Sequence, residues 1–164
     1  MIRPVVKEDA PMICDIYNYY VENTVITFEE NPVDADEMGR RIQNITETHP
    51  WIVFEEEGLI LAYAYASPWR VKSAYRFSAE LTVYADVNHR GKKIGSTLYT
   101  ALIKKMEEMG KHCLYGVIAV PNEASDKLHK RLGFTKCGHF HQVGYKFGKW
   151  VDVSYWERLS SELI

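Results

Sequence analysis

Val83-Tyr84-Ala85-Asp86-Val87-Asn88-His89-Arg90-Gly91-Lys92-Lys93-Ile94-Gly95-Ser96 is the stretch on which the fold turns. A β-branched and aromatic run enters a short basic loop that contains glycine, and an amphipathic helix begins at about Ser96. A strand ending in such a loop aims backbone N–H groups and a helix N-terminus at one spot, which suits a phosphate group. A solvated basic turn has the same composition, so a second signature has to decide the reading. It comes after the helix and one further strand, as Asn122-Glu-Ala-Ser-Asp-Lys-Leu-His-Lys-Arg-Leu-Gly-Phe134.

Around these two stretches the chain reads as alternating strands and helices. Ile2 to Val6 is a short strand, and Asp9 and Pro11 mark a helix whose buried face carries Ile13, Ile16, Tyr17 and Tyr20. Glu22 to Glu30 reads as irregular or extended, and Asp34 to Thr48 as a polar helix. Trp51 to Glu56 and Leu59 to Ser67 form a hairpin around Glu57-Gly58. Tyr75 to Asp86 is a long strand, with Phe77, Ala79, Leu81, Val83 and Ala85 on one face and Glu80, Thr82 and Tyr84 on the other. Ser96 to Met109 is a helix with a Leu98, Leu102, Met106, Met109 stripe, closed by Gly110. A strand at Cys113 to Val120, a helix at Glu123 to Leu132, and two strands at Phe134 to Tyr145 and Trp150 to Arg158 complete the chain.

This predicts a mixed α/β protein in the α+β sense: a central sheet of about seven strands flanked by about four helices. The length of 164 residues and a hydrophobic content of 46% fit one folded domain spanning 1–164. No repeat, low-complexity tract or linker divides it. The formal net charge of −2 argues against a nucleic-acid partner. Three widely spaced cysteines, Cys14, Cys113 and Cys137, argue against a disulfide framework and suit a reducing compartment. Met1-Ile2-Arg3-Pro4 carries no apolar signal core, and no apolar run approaches membrane-spanning length. The expectation is a soluble, cytoplasmic protein with no membrane partner.

The two signatures, in this order, resemble the acyl-CoA site of the GCN5-related N-acetyltransferases (GNAT), and the element order resembles that fold over essentially the whole chain. The resemblance implies acetyl-CoA as co-substrate. Val83, Tyr84 and Ala85 would pair through their backbone with the pantetheine arm. Arg90, Gly91, Lys92, Lys93, Ile94, Gly95 and Ser96 would hold the pyrophosphate, while Asn122 and Ser125 would lie near the thiol end. Arg90 and Gly95 fill the first and last positions of the family's loop pattern, whereas Lys93 stands where the middle glycine is usual. A non-glycine residue resists unusual backbone angles there.

Acetylating an amine requires an ammonium to lose a proton and a departing thiolate to gain one. Glu80 and His129 are the candidates. A mid-strand carboxylate such as Glu80 is costly unless it faces a cleft or a partner, and Arg76 on the same strand face is the alternative partner. Asn122, Ser125 and His129 share one helix face, and histidine titrates near neutrality. Ser78-Ala-Glu-Leu-Thr-Val-Tyr84, Thr97-Leu-Tyr-Thr100, Tyr63 to Trp69 and Phe147-Gly-Lys-Trp150 are similar to the phosphinothricin acetyltransferase group. In that group a glutamate at the Glu80 position is a general base and a histidine stands at the position of His129. Which of the two takes the amine's proton is open at this level.

Pro68-Trp-Arg-Val-Lys-Ser-Ala-Tyr75 joins two strands and sets Arg70 and Lys72 beside Trp69 and Tyr75, a combination suited to a compact anionic acceptor. By resemblance, Arg70, Lys72, Tyr75 and Phe28 contact substrate, and the acceptor is of the phosphinothricin or methionine sulfoximine/sulfone type. Arg70 and Lys72 exchange the identities usual in that group, and lysine lacks the bidentate fork of arginine. Homodimers are usual in the group, and Tyr145, Trp150 and Trp156 are candidate interface aromatics. Competing readings are a CoA-binding module without turnover and an acetyltransferase for a protein N-terminus. His139-Phe140-His141 sets two histidines on one strand face, but with no acidic or cysteine partner at ligand-like spacing no metal site is expected.

Overall fold

The structure, a computed structural model, describes residues 1–89 and 92–160. Among these residues the elements are β1 (Ile2–Pro4), α1 (Ala10–Asn23), α2 (Ala35–Thr46), β2 (Trp51–Glu56), β3 (Leu59–Pro68), β4 (Ser78–Ala85), α3 (Ile94–Glu108), β5 (Cys113–Val120), α4 (Glu123–Arg131), β6 (Thr135–Lys146) and β7 (Lys149–Leu159). The strands form one sheet in the order β1-β2-β3-β4-β5-β7-β6. Every neighbouring pair is antiparallel except β4–β5, because α3 carries the chain back over the sheet between them.

Side-chain alternation splits the core into two layers. On β3, Ala62, Ala64 and Ala66 lie under α3, where their small side chains leave room for Leu98, Leu102 and Met106. Tyr63 points the other way, joining Trp51, Val53 and the apolar faces of α1 and α2, among them Ile13, Ile16, Tyr17 and Tyr20. Asp34 starts α2 by accepting a hydrogen bond from the Glu37 amide at 2.8 Å.

Several details differ from the sequence reading. β4 begins at Ser78 rather than Tyr75, because Ser73–Tyr75 closes a 3-10 turn in which the Tyr75 and Arg76 amides donate to the Lys72 and Ser73 carbonyls. Phe77 is consequently half exposed instead of in the core. α3 begins at Ile94, and its buried stripe is Ile94, Leu98, Tyr99, Leu102, Ile103 and Met106. Met109 lies beyond the last turn and is 50% exposed. Trp156, taken from sequence as an interface aromatic, is 3% exposed and packs in the α3-side core, so only Tyr145 and Trp150 of that trio face outward.

Candidate active site

β4 and β5 pair only from Ser78 to Glu80 against Cys113 to Tyr115. Beyond Glu80 they diverge, since β4 stays in register with β3 while β5 follows β7. The Asp86 amide donates to Leu61 on β3, so in an antiparallel ladder the intervening residues Leu81, Val83 and Ala85 turn their backbone groups toward the gap. The Tyr20 hydroxyl donates to one of these carbonyls, that of Ala85. Val83 lines both hollows that the gap opens: a cavity of ≈ 290 Å³ and a groove of ≈ 500 Å³.

The second sequence signature is a capped helix. Asn122 accepts from the Ser125 amide at 3.1 Å at the start of α4. At its end Gly133 adopts φ 82°, and the Gly133 and Phe134 amides bond back to Lys130 and His129. Between these caps, His129 turns inward and is 4% exposed. Its Nδ1 lies 2.8 Å from the Ser125 carbonyl, which can only accept. The hydrogen therefore sits on Nδ1, and Nε2 offers its lone pair to the Tyr99 hydroxyl 3.1 Å away. Burial lowers the His129 pKa, opposed by the Ser125 hydrogen bond, so the ring is neutral at pH 7. Burial likewise raises Tyr99 and keeps its phenol protonated. The imidazole lies against β5 at Gly116, where a Cβ would come within 2.3 Å of Nε2.

Glu80 enters the same cavity from β4. Among the described residues its carboxylate has no hydrogen-bond or ion-pair partner. Burial raises its pKa above the ordinary carboxylate value, and the charge of Arg70 works in the opposite direction. The alternative partner is engaged elsewhere: Arg76 donates to the Ser73 carbonyl and stacks over Phe77 at 4.5 Å. Glu80 and His129 thus share one hollow, their pKa values displaced toward each other by the same loss of solvent.

The groove runs from this cavity to the start of α3, past Tyr84, Ala85, Lys93, Ile94, Gly95 and Ser96, with Asn122, Ser125 and Arg131 on the α4 side. Lys93 adopts φ 59°, the left-handed angle for which glycine is usual, at a cost of about 1–2 kcal/mol. Among the described residues no side chain caps α3, and the Ser96 and Thr97 hydroxyls donate back to the Lys93 carbonyl. The first-turn amides therefore remain available to an anion. Lys92 is exposed and outside the groove lining, and Arg90 and Gly91 lie outside the described residues.

The irregular segment 24–33 supplies Ile26, Thr27 and Phe28 to the cavity. It is fastened by a network built from distant residues. Tyr17 bonds Thr27 and Glu29, Arg41 pairs with Glu29 at 2.6 Å, and Asn18 bonds Val33 through both amide atoms. Lys146 on β6, 1% exposed, donates to the Thr27 carbonyl at 2.9 Å. Phe28 packs on Gly144, where a Cβ would come within 2.3 Å of its ring. Phe28 thereby lines the cavity. Arg70, Lys72 and Tyr75 are exposed and do not line the cavity. Arg70 stacks on Trp69 at 4.3 Å, which in turn stacks on Tyr115.

Tyr99, Gly116, Arg131 and Lys146 escaped the sequence reading. Tyr99 falls in the helix stripe as an ordinary core aromatic, and its hydroxyl partner lies 30 positions away. Only the charge of Arg131, in the last turn of a Lys/Arg-rich helix, offered any signal.

Residues 2–155 match the family model of the acetyltransferase (GNAT) domain. A phosphinothricin N-acetyltransferase from Streptomyces viridochromogenes is 40% identical over 96% of this chain and 86% of that protein. An L-methionine sulfoximine/L-methionine sulfone acetyltransferase from Salmonella typhimurium is 35% identical over 94% of this chain and 91% of that protein. The crystal structure of a GNAT superfamily phosphinothricin acetyltransferase from Sinorhizobium meliloti in complex with AcCoA superposes with a TM-score of 0.94, at 35% identity over 99% of this chain and 89% of that one. With the diverging β4 and β5, the open start of α3, the half-buried Glu80 and the buried His129 already in place, these likenesses assign the chain to the GNAT family of acetyltransferases.

Proposed function

We propose that this acetyltransferase moves the acetyl group of acetyl-CoA directly to the amino group of a small amino-acid-like acceptor of the phosphinothricin or methionine sulfoximine/sulfone type, with 1–164 acting as one catalytic unit. The observation that carries the reading is the pairing of Glu80 and His129, from two different elements, on one small cavity that continues into a groove ending at the uncapped α3. The Val83 backbone, turned to the gap, suits an extended amide-bearing arm. The α3 amides with Lys93 and Arg131 suit phosphates.

In this reading Glu80 takes the ammonium's first proton and passes it to solvent, since its raised pKa brings it closer to the working pH. The amine lone pair then attacks the acetyl carbonyl carbon, the carbon–sulfur bond breaks, the nitrogen sheds its second proton and the sulfur gains one. The Nε2 lone pair of His129 already receives the Tyr99 hydroxyl, which disfavours it as the first base and leaves the Tyr99–His129 pair to serve the sulfur. Among the loop cations, only Arg70 exerts its charge on Glu80. A homodimer is proposed on the exposed Tyr145 and Trp150, whose rings lie 4.9 Å apart. No helix among the described residues is long and apolar enough to cross a membrane.

The test is thiol release from acetyl-CoA with phosphinothricin, methionine sulfoximine, methionine sulfone, ordinary amino acids, a polyamine and an alanine-ended peptide as acceptors. Turnover confined to the amino acid analogues and lost in Glu80→Gln supports the reading. Preference for the peptide, or tight CoA binding with no turnover on any amine, overturns it.

A further inference from the structure

β6 leaves its register with β7 between Phe140 and Gly144, and Gln142 at φ 52° marks the irregularity. Such a bulge redirects the side chains around it. Here it brings His139 and His141 of β6 onto one residue of β7, Asp152. The Asp152 Oδ2 lies 2.8 Å from His139 Nε2 and 3.2 Å from His141 Nδ1. Its Oδ1 accepts the Gln142 amide at 2.7 Å, so the backbone of the bulge fixes the carboxylate with Oδ2 aimed at both rings. This is the acidic partner that linear spacing did not reveal, because it lies across the strand pair.

We propose that His139, His141 and Asp152 form a binding site for a divalent transition metal ion, with zinc(II) as the reference ion. The three donor atoms all lie within 4.8 Å of one another. A tetrahedral zinc with ordinary bond lengths sets its ligand atoms about 3.4 Å apart, so side-chain rotations that shift the donor atoms by up to about 1.4 Å bring these three to the corners. Two imidazoles and one carboxylate match the nitrogen and oxygen preference of zinc, leaving a fourth position for water. None of the three lines the acetyl-transfer cavity or its groove, so the site is separate from the chemistry proposed above.

One neighbour opposes the metal. Lys136 Nζ lies 3.2 Å from His139 Nδ1. An ammonium only donates, so in the metal-free chain His139 carries its hydrogen on Nε2. Zinc takes that nitrogen's lone pair, the hydrogen moves to Nδ1, and Lys136 must let go. Removing Lys136 therefore tightens binding, a response that adventitious chelation by surface histidines does not give.

The experiment is a zinc competition titration against a chromophoric indicator, on the full untagged chain stripped of metal, with histidine ring nitrogens followed by NMR. One zinc per chain is expected, with coordination shifts at His139 Nε2 and His141 Nδ1. His141→Ala removes a side chain that is 80% exposed, so the fold survives. It weakens zinc by at least about 10–100-fold, the loss known for even an outer partner of a metal ligand. Asp152→Asn keeps an acceptor for Gln142 and weakens zinc similarly, and Lys136→Met strengthens it. Equal affinity in the wild type and His141→Ala, one zinc per two chains, or no zinc uptake by the folded wild type overturns the site.

Discussion

Replacing Gly116 by alanine puts a methyl carbon 2.3 Å from His129 Nε2, 2.7 Å from Cδ2 and 3.3 Å from Cε1. The imidazole has little room to yield. Tyr99, Phe134 and Trp156 surround it with ring centroids at 5.4, 5.0 and 6.1 Å, and the α4 backbone holds Nδ1. Overpacking of this kind costs about 1–3 kcal/mol, and a tilt of the ring adds about 1 kcal/mol or more for the Tyr99 hydroxyl left unsatisfied. The expected destabilisation is about 2–4 kcal/mol, which lowers Tm by roughly 5–15 °C in a protein of this size. Thiol release falls with it, because the imidazole leaves its position beside the cavity.

A double-mutant cycle isolates the cause. In Gly116→Ala/His129→Ala the new methyl occupies space that the imidazole has vacated, so the double variant is more stable than the two single losses predict, by about 1–3 kcal/mol. Urea or thermal unfolding of the four proteins measures it. If Gly116→Ala melts with the wild type, or the two changes add within about 0.5 kcal/mol, the close packing of His129 on β5 is refuted.

Glu80→Gln is expected to lower kcat by about 10²–10⁴-fold and to remove the acid limb of the pH–rate profile; retention of that limb assigns it to another group. Because burial raises the native Glu80 pKa above 4.5, the native state holds this proton to higher pH than the unfolded chain, and stability drains away as pH rises through the native pKa. Glu80→Gln is then more stable than the wild type at pH 7, measured by unfolding at pH 4 and pH 7. Lys146→Met frees the Thr27 carbonyl and is expected to raise the acceptor KM several-fold while calorimetric CoA affinity stays unchanged; equal effects on both place Lys146 outside acceptor binding. Lys93→Gly relieves the left-handed strain of about 1–2 kcal/mol but loosens the unfolded chain by about 0.5–1 kcal/mol, so Tm stays level or rises slightly. A fall in Tm of several degrees shows that the Lys93 side chain contributes more than its backbone costs.

The sequence by itself determined the elements and their order, because what defines them is local. Hydrophobic spacing marked the helix faces and strand alternation, Asp34 and Asn122 capped helices within a few residues, and Gly133 ended α4 on an angle that side chains rarely adopt. It also singled out Glu80, as a carboxylate in an apolar strand, and His129, on one helix face with Asn122 and Ser125. Only the tertiary structure decided what those groups meet. The divergence of β4 from β5 depends on which partner each strand follows, Tyr99 reaches His129 across two helices, and Lys146 clamps a segment far away in the chain. The loop carrying Arg70, Lys72 and Tyr75, read as an acceptor wall, lies exposed and ends in a 3-10 turn over Ser73–Tyr75. Asp152 looked unrelated to His139 and His141 until strand pairing and a bulge set them together. Contacts of this kind carry no periodicity, since register between distant strands, rather than spacing along one of them, fixes where the side chains converge.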